Sequence, residues 1–360
     1  MHPIVTTDTE LTEVISQLES APAIGLDTEF LRERTYRAEL CLVQLSSADL
    51  AVCVDPIAAK SVARLAPLLS TNGPIKVMHA SRQDLEVLCP DVGLTQPVFD
   101  TQVAAALTGL PSQIGYGDLV RRMLGKDLSK AHTRTDWSRR PLSDEQIEYA
   151  LDDVRYLLPL KEKLEEELTR LGRMDWLREE LEPLTDIRSL MVEPEQAWLR
   201  VKGLRGLDDG RTRLARALAA WRERRAAERN RPRGWILEDT ALREIVARVP
   251  RTLEQLTAVP ELPAGVIKHC GEELLECVRA ADVPQPPPPM PARLRPDPAR
   301  NTLVKKLSAL NQTIAAEIGL SPEVLATRRD LEQLADGDRD APVLQGWRKA
   351  IVGERLLAAL

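Results

Sequence analysis

The strand-like apolar segments of this 360-residue chain all lie before residue 100, and beyond about Asp208 the apolar residues recur only with helical spacing. Short apolar runs between polar connections indicate buried strands, and helices between such strands indicate a sheet covered by helices. We therefore predict an α/β domain followed by all-helical modules. The predicted strands are Ile24–Phe30, Leu40–Leu45, Leu50–Val54, Ile75–His79 and Val98–Phe99.

Helical patterns alternate with these strands and close the first domain. The segment Ser143-Asp144-Glu145-Gln146 has the form of a capping box, in which a serine and a glutamine three residues later satisfy backbone N–H groups at a helix start. A long helix is predicted from there to about Gly172. Further helices are predicted over Ser61–Leu69 and Arg82–Leu88, and from the strand at Val98-Phe99 through Leu107.

A proline-rich segment divides the helical half of the chain. Eight of the sixteen residues from Val283 to Pro298 are proline, which excludes helix and sheet and favours an extended spacer. The helical segments on its two sides are similar in size and patterning, which suggests a divergent tandem pair. The predicted domains are 1–172, a helical connector 173–207, a first helical bundle 208–282, the linker 283–298 and a second bundle 299–360.

Charge is unevenly distributed along the chain. The net charge of −6 argues against a polyanionic partner if it is evenly spread, but twelve Arg or Lys residues and only four acids lie between Arg200 and Arg233. This basic segment is either a solvated helix face or a patch for an RNA backbone, and the sequence leaves both open. We predict that Trp221 and Trp235 pack in the helical core and do not stack on bases.

Other compositional features exclude several classes of protein. No apolar run approaches the roughly 18 residues of a membrane span, and no signal-peptide pattern follows Met1. We therefore expect a cytoplasmic protein without a membrane partner, and a monomer because no coiled-coil pattern occurs. The cysteines lack CxxC spacing, so we predict core residues and neither disulfides nor a zinc site. They are Cys41, Cys53, Cys89, Cys270 and Cys277.

Two acids two residues apart lie in the first predicted strand. Since strand side chains alternate with period 2, Asp27 and Glu29 leave the sheet on one face. Two carboxylates beside an apolar run repel each other and lose hydration, so they need a shared proton or a compensating cation. A divalent metal ion is the expected compensation.

Further residues are placed to join this pair. Asp84 opens the helix after the strand that ends at His79, where sites of α/β proteins gather, although an acid there also suits the helix dipole. Tyr149 and Asp153 are four residues apart on the long helix and share a face. Asp152 points about 100° away, so the spacing favours Asp153.

The donor set predicts which cofactor the site would take. Four carboxylates with no cysteine or paired histidine suit Mg²⁺ or Mn²⁺, and two such ions about 4 Å apart can promote phosphodiester hydrolysis. In that scheme Tyr149 orients the attacking water. His79 and His132 are possible general bases, but each is more simply a hydrogen-bonding residue or a residue of a polar loop.

These elements together resemble the DEDD superfamily of 3′–5′ exonucleases, and within it the ribonuclease D family. The tyrosine four residues before the last aspartate is typical of the tyrosine subgroup, and residues 1–205 resemble the family almost throughout. Leu151-Asp152 departs from the small residues usual between that tyrosine and aspartate. The motifs are Leu26-Asp27-Thr28-Glu29-Phe30, His79-Ala80-Ser81-Arg82-Gln83-Asp84-Leu85-Glu86 and Tyr149-Ala150-Leu151-Asp152-Asp153-Val154.

The resemblance implies a ribonuclease H-like domain with a mixed sheet, and the helical bundles resemble HRDC domains, which bind nucleic acids. It implies that Asp27, Glu29, Asp84 and Asp153 bind two divalent ions and that Tyr149 orients water. The expected activity is 3′–5′ exoribonuclease action on structured RNA such as tRNA precursors, releasing nucleoside 5′-monophosphates. The alternatives are a proofreading-type exodeoxyribonuclease and a non-catalytic RNA-binding protein.

Overall fold

The computed structural model describes residues 3–59, 62–129, 135–186, 190–191, 193–204, 206–284 and 298–360. The chain forms two compact units. The first comprises residues 1–31, 40–190 and 296–360, and the second comprises residues 32–39 and 191–295. Most of the proline-rich linker predicted over 283–298 lies outside the described residues, as does His132.

A six-stranded sheet forms the centre of the first unit, in the order β1-β4-β3-β2-β5-β6. It is mixed, as predicted, because β3 and β4 are antiparallel whereas β1 pairs parallel with β4, and β5 pairs parallel with β2 and β6. All five predicted strands are confirmed, and β1 was not predicted because two residues carry no alternation. The strands are Ile4–Val5 (β1), Ala23–Leu31 (β2), Glu39–Ser46 (β3), Ala51–Val54 (β4), Ile75–Met78 (β5) and Val98–Asp100 (β6).

Helices α1 to α9 accompany this sheet. The predicted helix over Ser61–Leu69 is only partly right, because Val62–Leu65 is a 3₁₀ helix and an α-helix covers only Ala66–Leu69. Pro67 lies in the first turn of that α-helix. Backbone N–H groups in this turn have no acceptor within the helix, so the absence of an N–H in proline costs no hydrogen bond. The helices are Asp8–Leu18 (α1), Pro56–Ala59 (α2), Ala66–Leu69 (α3), Arg82–Val92 (α4), Thr101–Leu107 (α5), Tyr116–Leu124 (α6), Asp144–Arg155 (α7), Leu157–Leu171 (α8) and Met174–Leu181 (α9).

The predicted single helix from Ser143 to Gly172 is two helices. Its capping box is confirmed, since Ser143 Oγ accepts from the Gln146 N–H and the Gln146 side chain accepts from the Ser143 N–H. The break lies at Tyr156, which has φ −103° and ψ 0°. Pro159 explains it, because a proline ring in a continuous helix would clash with the carbonyl four residues earlier, that of Arg155. Asp153 consequently lies in the last turn of α7.

The second unit has its own helical core. As predicted, Leu214 and Leu218 are buried on one face of α10, and Trp221 beside them is half-buried. The prediction for Trp235 is wrong, because its side chain is 57% exposed. A 3₁₀ helix over Pro194–Arg200 precedes the α-helices. These are Asp209–Glu228 (α10), Arg233–Ile236 (α11), Asp239–Arg248 (α12), Leu253–Thr257 (α13) and Ala264–Ala280 (α14).

The C-terminal helices belong to the first unit and share its core. The ring of Trp347 stacks on that of Trp176 in α9, with 4.2 Å between the centroids, and Arg348 forms an ion pair with Glu180. Arg173 donates to the carbonyls of Leu107 and Ile318 at 2.7 and 2.5 Å. Residues 298–360 are helical, as predicted. These helices are Pro298–Ile318 (α15), Pro322–Leu325 (α16), Arg328–Ala335 (α17), Gly346–Arg348 (α18) and Glu354–Leu357 (α19).

Two compositional predictions are addressed by the structure. All five cysteines are free, and four of them are buried, as expected for core residues. Among the described residues, none of the helices has the length and apolar character needed to cross a membrane. The predicted domain boundaries stay a prediction.

Candidate active site

Strand β2 presents the first two acids at the centre of the sheet. Asp27 and Glu29 are half-buried and flank Thr28, which is only 5% exposed. Thr28 is not a passive spacer, because its Oγ1 donates to Asp84 Oδ1 at 2.5 Å. The strand thus supplies two acids and also fixes the orientation of a third.

Asp84 lies in the first turn of α4 and is 7% exposed. The turn before α4 is held by Asp100 at the end of β6, which accepts the Ala80 N–H at 3.1 Å and the Ser81 N–H at 2.8 Å. Ala80 has a left-handed φ of 54°, a strained conformation for a residue with a Cβ. Asp100 therefore stabilises the turn that aims Asp84 at the strand.

A small residue in β2 lets helix α7 approach the sheet. A Cβ on Gly25 would lie 2.2 Å from Ser46 Oγ and 3.0 Å from the Val154 carbonyl oxygen, so only glycine fits. Ser46 Oγ donates to the same Val154 carbonyl at 2.9 Å. These contacts fix the last turn of α7, and therefore Asp153, beside the acids of β2.

Tyr149 lies on α7 one turn before Asp153. Its ring contacts the buried Trp137, with 6.2 Å between the centroids. Asp152 forms an ion pair with Arg155 at 2.7 Å. The second acid of the motif is thus partly neutralised on the helix surface, although its charge still raises the pKa of Asp153.

The remaining candidate base, His79, has partners on both sides of its ring. Nδ1 lies 2.9 Å from Thr101 Oγ1 and Nε2 lies 3.0 Å from the Ile114 carbonyl oxygen. Burial lowers the pKa of this imidazole. The hydrogen-bonding interpretation of His79 is therefore confirmed, and neither ring nitrogen is available as a base in this arrangement.

The electrostatics place Asp84 and Asp153 near the two acids of β2. Burial raises the pKa of Asp27 well above its ordinary value, and Asp84, Asp153 and Glu29 raise it further. Burial, then Asp153 and then Asp84 raise the pKa of Glu29 to about 8. Burial is also the largest cause for Asp84, whose pKa rises to about 6, and for Asp153, whose pKa rises to about 7. The structure thus brings together all four acids singled out from the sequence.

Carboxylate oxygens are the donors that hard divalent cations prefer, and a cation would offset the repulsion between these acids. No three acid, histidine or cysteine side chains in the described part of the chain form a ready-made metal cage. The four acids therefore suit a divalent metal ion by their oxygen donors and their negative charge. Asp27, Glu29, Asp84 and Asp153 supply oxygen donors from β2, α4 and α7.

The raised pKa values predict an unusual dependence of stability on pH in the presence of a chelator. Between pH 4 and 8 the unfolded carboxyls are ionised while the folded ones retain protons, so the folded state binds more protons. Stability should therefore fall as pH rises through this window, and Tm should be several degrees lower at pH 8 than at pH 5.5. Asp153→Asn should reduce the difference. A Tm that rises from pH 5.5 to 8 in EDTA would contradict the close placement of these four acids.

The comparisons with known proteins identify the family. Residues 3–169 match the 3′–5′ exonuclease family and residues 211–278 match the HRDC domain family. Ribonuclease D of Gluconacetobacter diazotrophicus is 39% identical over 365 residues, covering 99% of this chain and 92% of that protein. The chain belongs to the ribonuclease D family. Ribonuclease D of Sphingobium indicum is also 39% identical, covering 97% of this chain and 92% of that protein.

Solved structures agree with this assignment. The crystal structure of Escherichia coli RNase D, described as an exoribonuclease involved in structured RNA processing, matches with a TM-score of 0.87 and 31% identity. The match covers 99% of this chain and 98% of that one. The catalytic core of RRP6 from Trypanosoma brucei matches with a TM-score of 0.56 and 23% identity, a likeness of fold. Like other members of the ribonuclease D family, the chain is a 3′–5′ exoribonuclease.

Several residues that support the acids were not predicted to do so. Thr28 lies within the first motif, and Asp100 lies in a segment that resembles the ribonuclease D family, but neither was assigned a role. Gly25 was not singled out from the sequence. Glycine in a strand interior is itself a sign of close backbone approach, and an acid that ends a strand before a helix is a sign of a cap, so both could have been found.

Proposed function

We propose that Asp27, Glu29, Asp84 and Asp153 bind two divalent ions, Mg²⁺ or Mn²⁺, and that the chain hydrolyses RNA from its 3′ end to nucleoside 5′-monophosphates. The observation that carries this proposal is that Asp84 of α4 and Asp153 of α7 both raise the pKa values of Asp27 and Glu29 in β2, so acids from three separate elements lie within electrostatic reach of one another. Acids that raise the pKa of a neighbouring acid in a partly dry site are suited to hold cations. Membership of an exonuclease family supports the same conclusion.

Each residue has a distinct task in this scheme. The ions, when bound, would promote ionisation of a water and stabilise the departing 3′ oxygen. Thr28 donates to Asp84 and so fixes the direction of one donor oxygen. Burial and the nearby acids Asp153 and Glu29 raise the pKa of Tyr149, so its phenol keeps its proton and can orient a water by donating a hydrogen bond.

The proposed substrates are structured RNAs with free 3′ ends, tRNA precursors among them. The support is the relative from Escherichia coli, which is described as involved in structured RNA processing. Phosphate and ribose contacts from the helical modules would favour RNA shape over base sequence. We also propose that the chain acts as a monomer in the cytoplasm.

A digestion series with a metal titration tests substrate, reaction and cofactor together. Matched RNA and DNA oligonucleotides labelled at the 5′ end should show stepwise shortening of RNA, with slower shortening of DNA. Activity should be lost in EDTA and restored by Mg²⁺ or Mn²⁺, and the released products should be 5′-monophosphates. Equal rates on the two polymers would favour the exodeoxyribonuclease alternative, and activity that persists in EDTA would contradict the metal site.

A further inference from the structure

Trp235 is the feature of the second unit that internal packing does not explain. It lies in the short helix α11 beside Ile236, which is 7% exposed and points into the core, whereas the indole of Trp235 is 57% exposed. Its Nε1 donates to no acceptor in the part of the chain that the structure describes. Trp221 in the same unit is half-buried, and its Nε1 donates to Glu273 at 2.6 Å.

A groove of about 550 Å³ lies beside the exposed indole, large enough for a nucleobase with its ribose. The 3₁₀ helix, α10 and the start of α12 all contribute to it. Thr240 Oγ1 and Arg222 Nε are buried in these walls without a hydrogen-bond partner among the described residues. The groove is lined by Arg200, Arg222, Glu223, Trp235, Glu238 and Thr240 among others.

Five of the twelve basic residues between Arg200 and Arg233 form ion pairs within the second unit. The ion pairs with carboxylates are Arg211–Asp208, Arg222–Asp239, Arg224–Glu195, Arg225–Glu273 and Arg233–Glu223. The count of twelve basic residues therefore overstates the charge available to a polyanion.

Two cations near the groove remain available. Arg200 lines it and has no carboxylate partner in the described residues. The guanidinium of Arg231 lies over the Trp235 ring, 5.9 Å from its centroid, and also has no carboxylate partner there. A guanidinium on an indole strengthens stacking by cation–π attraction and still presents N–H groups to a phosphate. Aromatic surface and unpaired positive charge thus coincide at one place.

Acids in the groove determine which part of a nucleotide can enter it. Glu238 and Asp239 line the groove, and Asp239 is paired with Arg222. Since carboxylates repel phosphates, they favour entry of the uncharged base and leave the backbone to Arg200 and Arg231. The arrangement suits an unpaired base flanked by two phosphates.

We propose that Trp235 stacks on an unpaired base of the RNA while Arg200 and Arg231 contact the neighbouring phosphates. This inference rests on the proposed RNA substrate and adds a binding site remote in sequence from the catalytic acids. Stacking depends on the π-face that every base has, so the site should accept any base sequence. It should require a single-stranded segment, because a paired base cannot enter the groove.

Binding of a 3′-blocked single-stranded oligoribonucleotide in EDTA tests the stacking contact in the full chain without cleavage. Fluorescence anisotropy should show that Trp235→Ala raises Kd about fivefold or more, whereas Trp235→Phe stays within about threefold of the unmodified chain. Leu199→Ala is the matched control, because Leu199 is 60% exposed in the same unit and does not line the groove. Equal Kd values for Trp235→Ala and Leu199→Ala would overturn the proposal.

The phosphate contact has its own matched pair of variants. Arg200→Ala should weaken binding and reduce the dependence of log Kd on log salt concentration by about one phosphate contact. Arg216→Ala removes the same charge from an exposed position of α10 outside the groove and should do neither. Equal effects of the two variants would show a non-specific electrostatic attraction between the chain and the RNA. That result would contradict the proposed contact between Arg200 and a phosphate.

The failure of this inference can be told apart from failure of the proposed function. Hydrolysis by the unmodified chain with Mg²⁺ reports only on the catalytic proposal. The unmodified chain could shorten RNA while all the Trp235 and Arg200 variants bind the oligoribonucleotide with the Kd of the unmodified chain. In that case the stacking site is wrong and the proposed catalytic function is unaffected. A duplex oligonucleotide should bind with a Kd that Trp235→Ala leaves unchanged, and an equal loss with duplex would also overturn the proposal.

Discussion

Replacing Asp27 with alanine is expected to lower the rate of hydrolysis of a 5′-labelled RNA at least about 10³-fold, because the proposed metal ions lose a donor at the centre of the site. Asp84, Asp153 and Glu29 all raise the pKa of Asp27, so Asp27 lies within electrostatic reach of each of them. Single-turnover digestion in Mg²⁺ measures the effect. Asp153→Asn should give a loss of similar size.

The adjacent acid of α7 provides a stringent control. Asp152→Asn removes the same charge as Asp153→Asn, one residue earlier in α7. Because Asp152 is paired with Arg155 on the helix surface, this substitution should change the rate of hydrolysis less than about threefold. Thermal unfolding in EDTA separates loss of chemistry from loss of fold. Removing one repelling buried acid should leave Tm equal to or higher than that of the unmodified chain. Digestion at the normal rate by purified Asp27→Ala would disprove the site.

Local sequence was sufficient to place Asp27 beside Glu29 and Tyr149 beside Asp153, because each pair lies in a short motif with a clear period. The spacing of Asp27 and Glu29 needs only the strand period, and that of Tyr149 and Asp153 needs only the helix period. The contacts that bring these elements together join residues far apart in the chain. Ser46 bonds to the Val154 carbonyl 108 positions later, and no periodicity reports such a pair.

The C-terminal helices show a second limit of sequence patterns. Their helical spacing was predicted correctly, but the pattern does not say which surface a helix covers. Trp347 could pack within its own segment or on another one, and the structure places it against Trp176 of the first unit. A helix pair of four and three residues, such as α16 and α18, also has too little apolar surface of its own to form an independent core.

Trp235 illustrates why an aromatic residue cannot be assigned to a core from its identity. In the four-residue helix α11, the residue next to Trp235 that faces inward is Ile236. Adjacent helical residues point about 100° apart, so Trp235 is directed outward. Apolar character predicts burial on average, whereas the register of a single turn decides it at this position.

Replacing Tyr149 with phenylalanine is expected to lower kcat about 10- to 100-fold with little change in KM for RNA. The ring would keep its contact with Trp137 and its place on α7, so only the hydroxyl is lost. Because burial and the nearby acids raise the pKa of that hydroxyl, it donates throughout the working pH range. Its loss should therefore lower kcat by the same factor at pH 7 and pH 9, which a pH profile measures.

Tyr116→Phe distinguishes a direct role for the Tyr149 hydroxyl from an effect on the position of the helix. The Tyr116 hydroxyl donates to the Asp152 carbonyl at 3.0 Å and accepts from the Tyr156 N–H at 3.3 Å, so it holds the end of α7. Its removal should lower Tm and leave kcat nearer to normal, the reverse of Tyr149→Phe. Equal losses of kcat in both variants would mean that Tyr149 only positions Asp153, and the water-orienting role would be withdrawn.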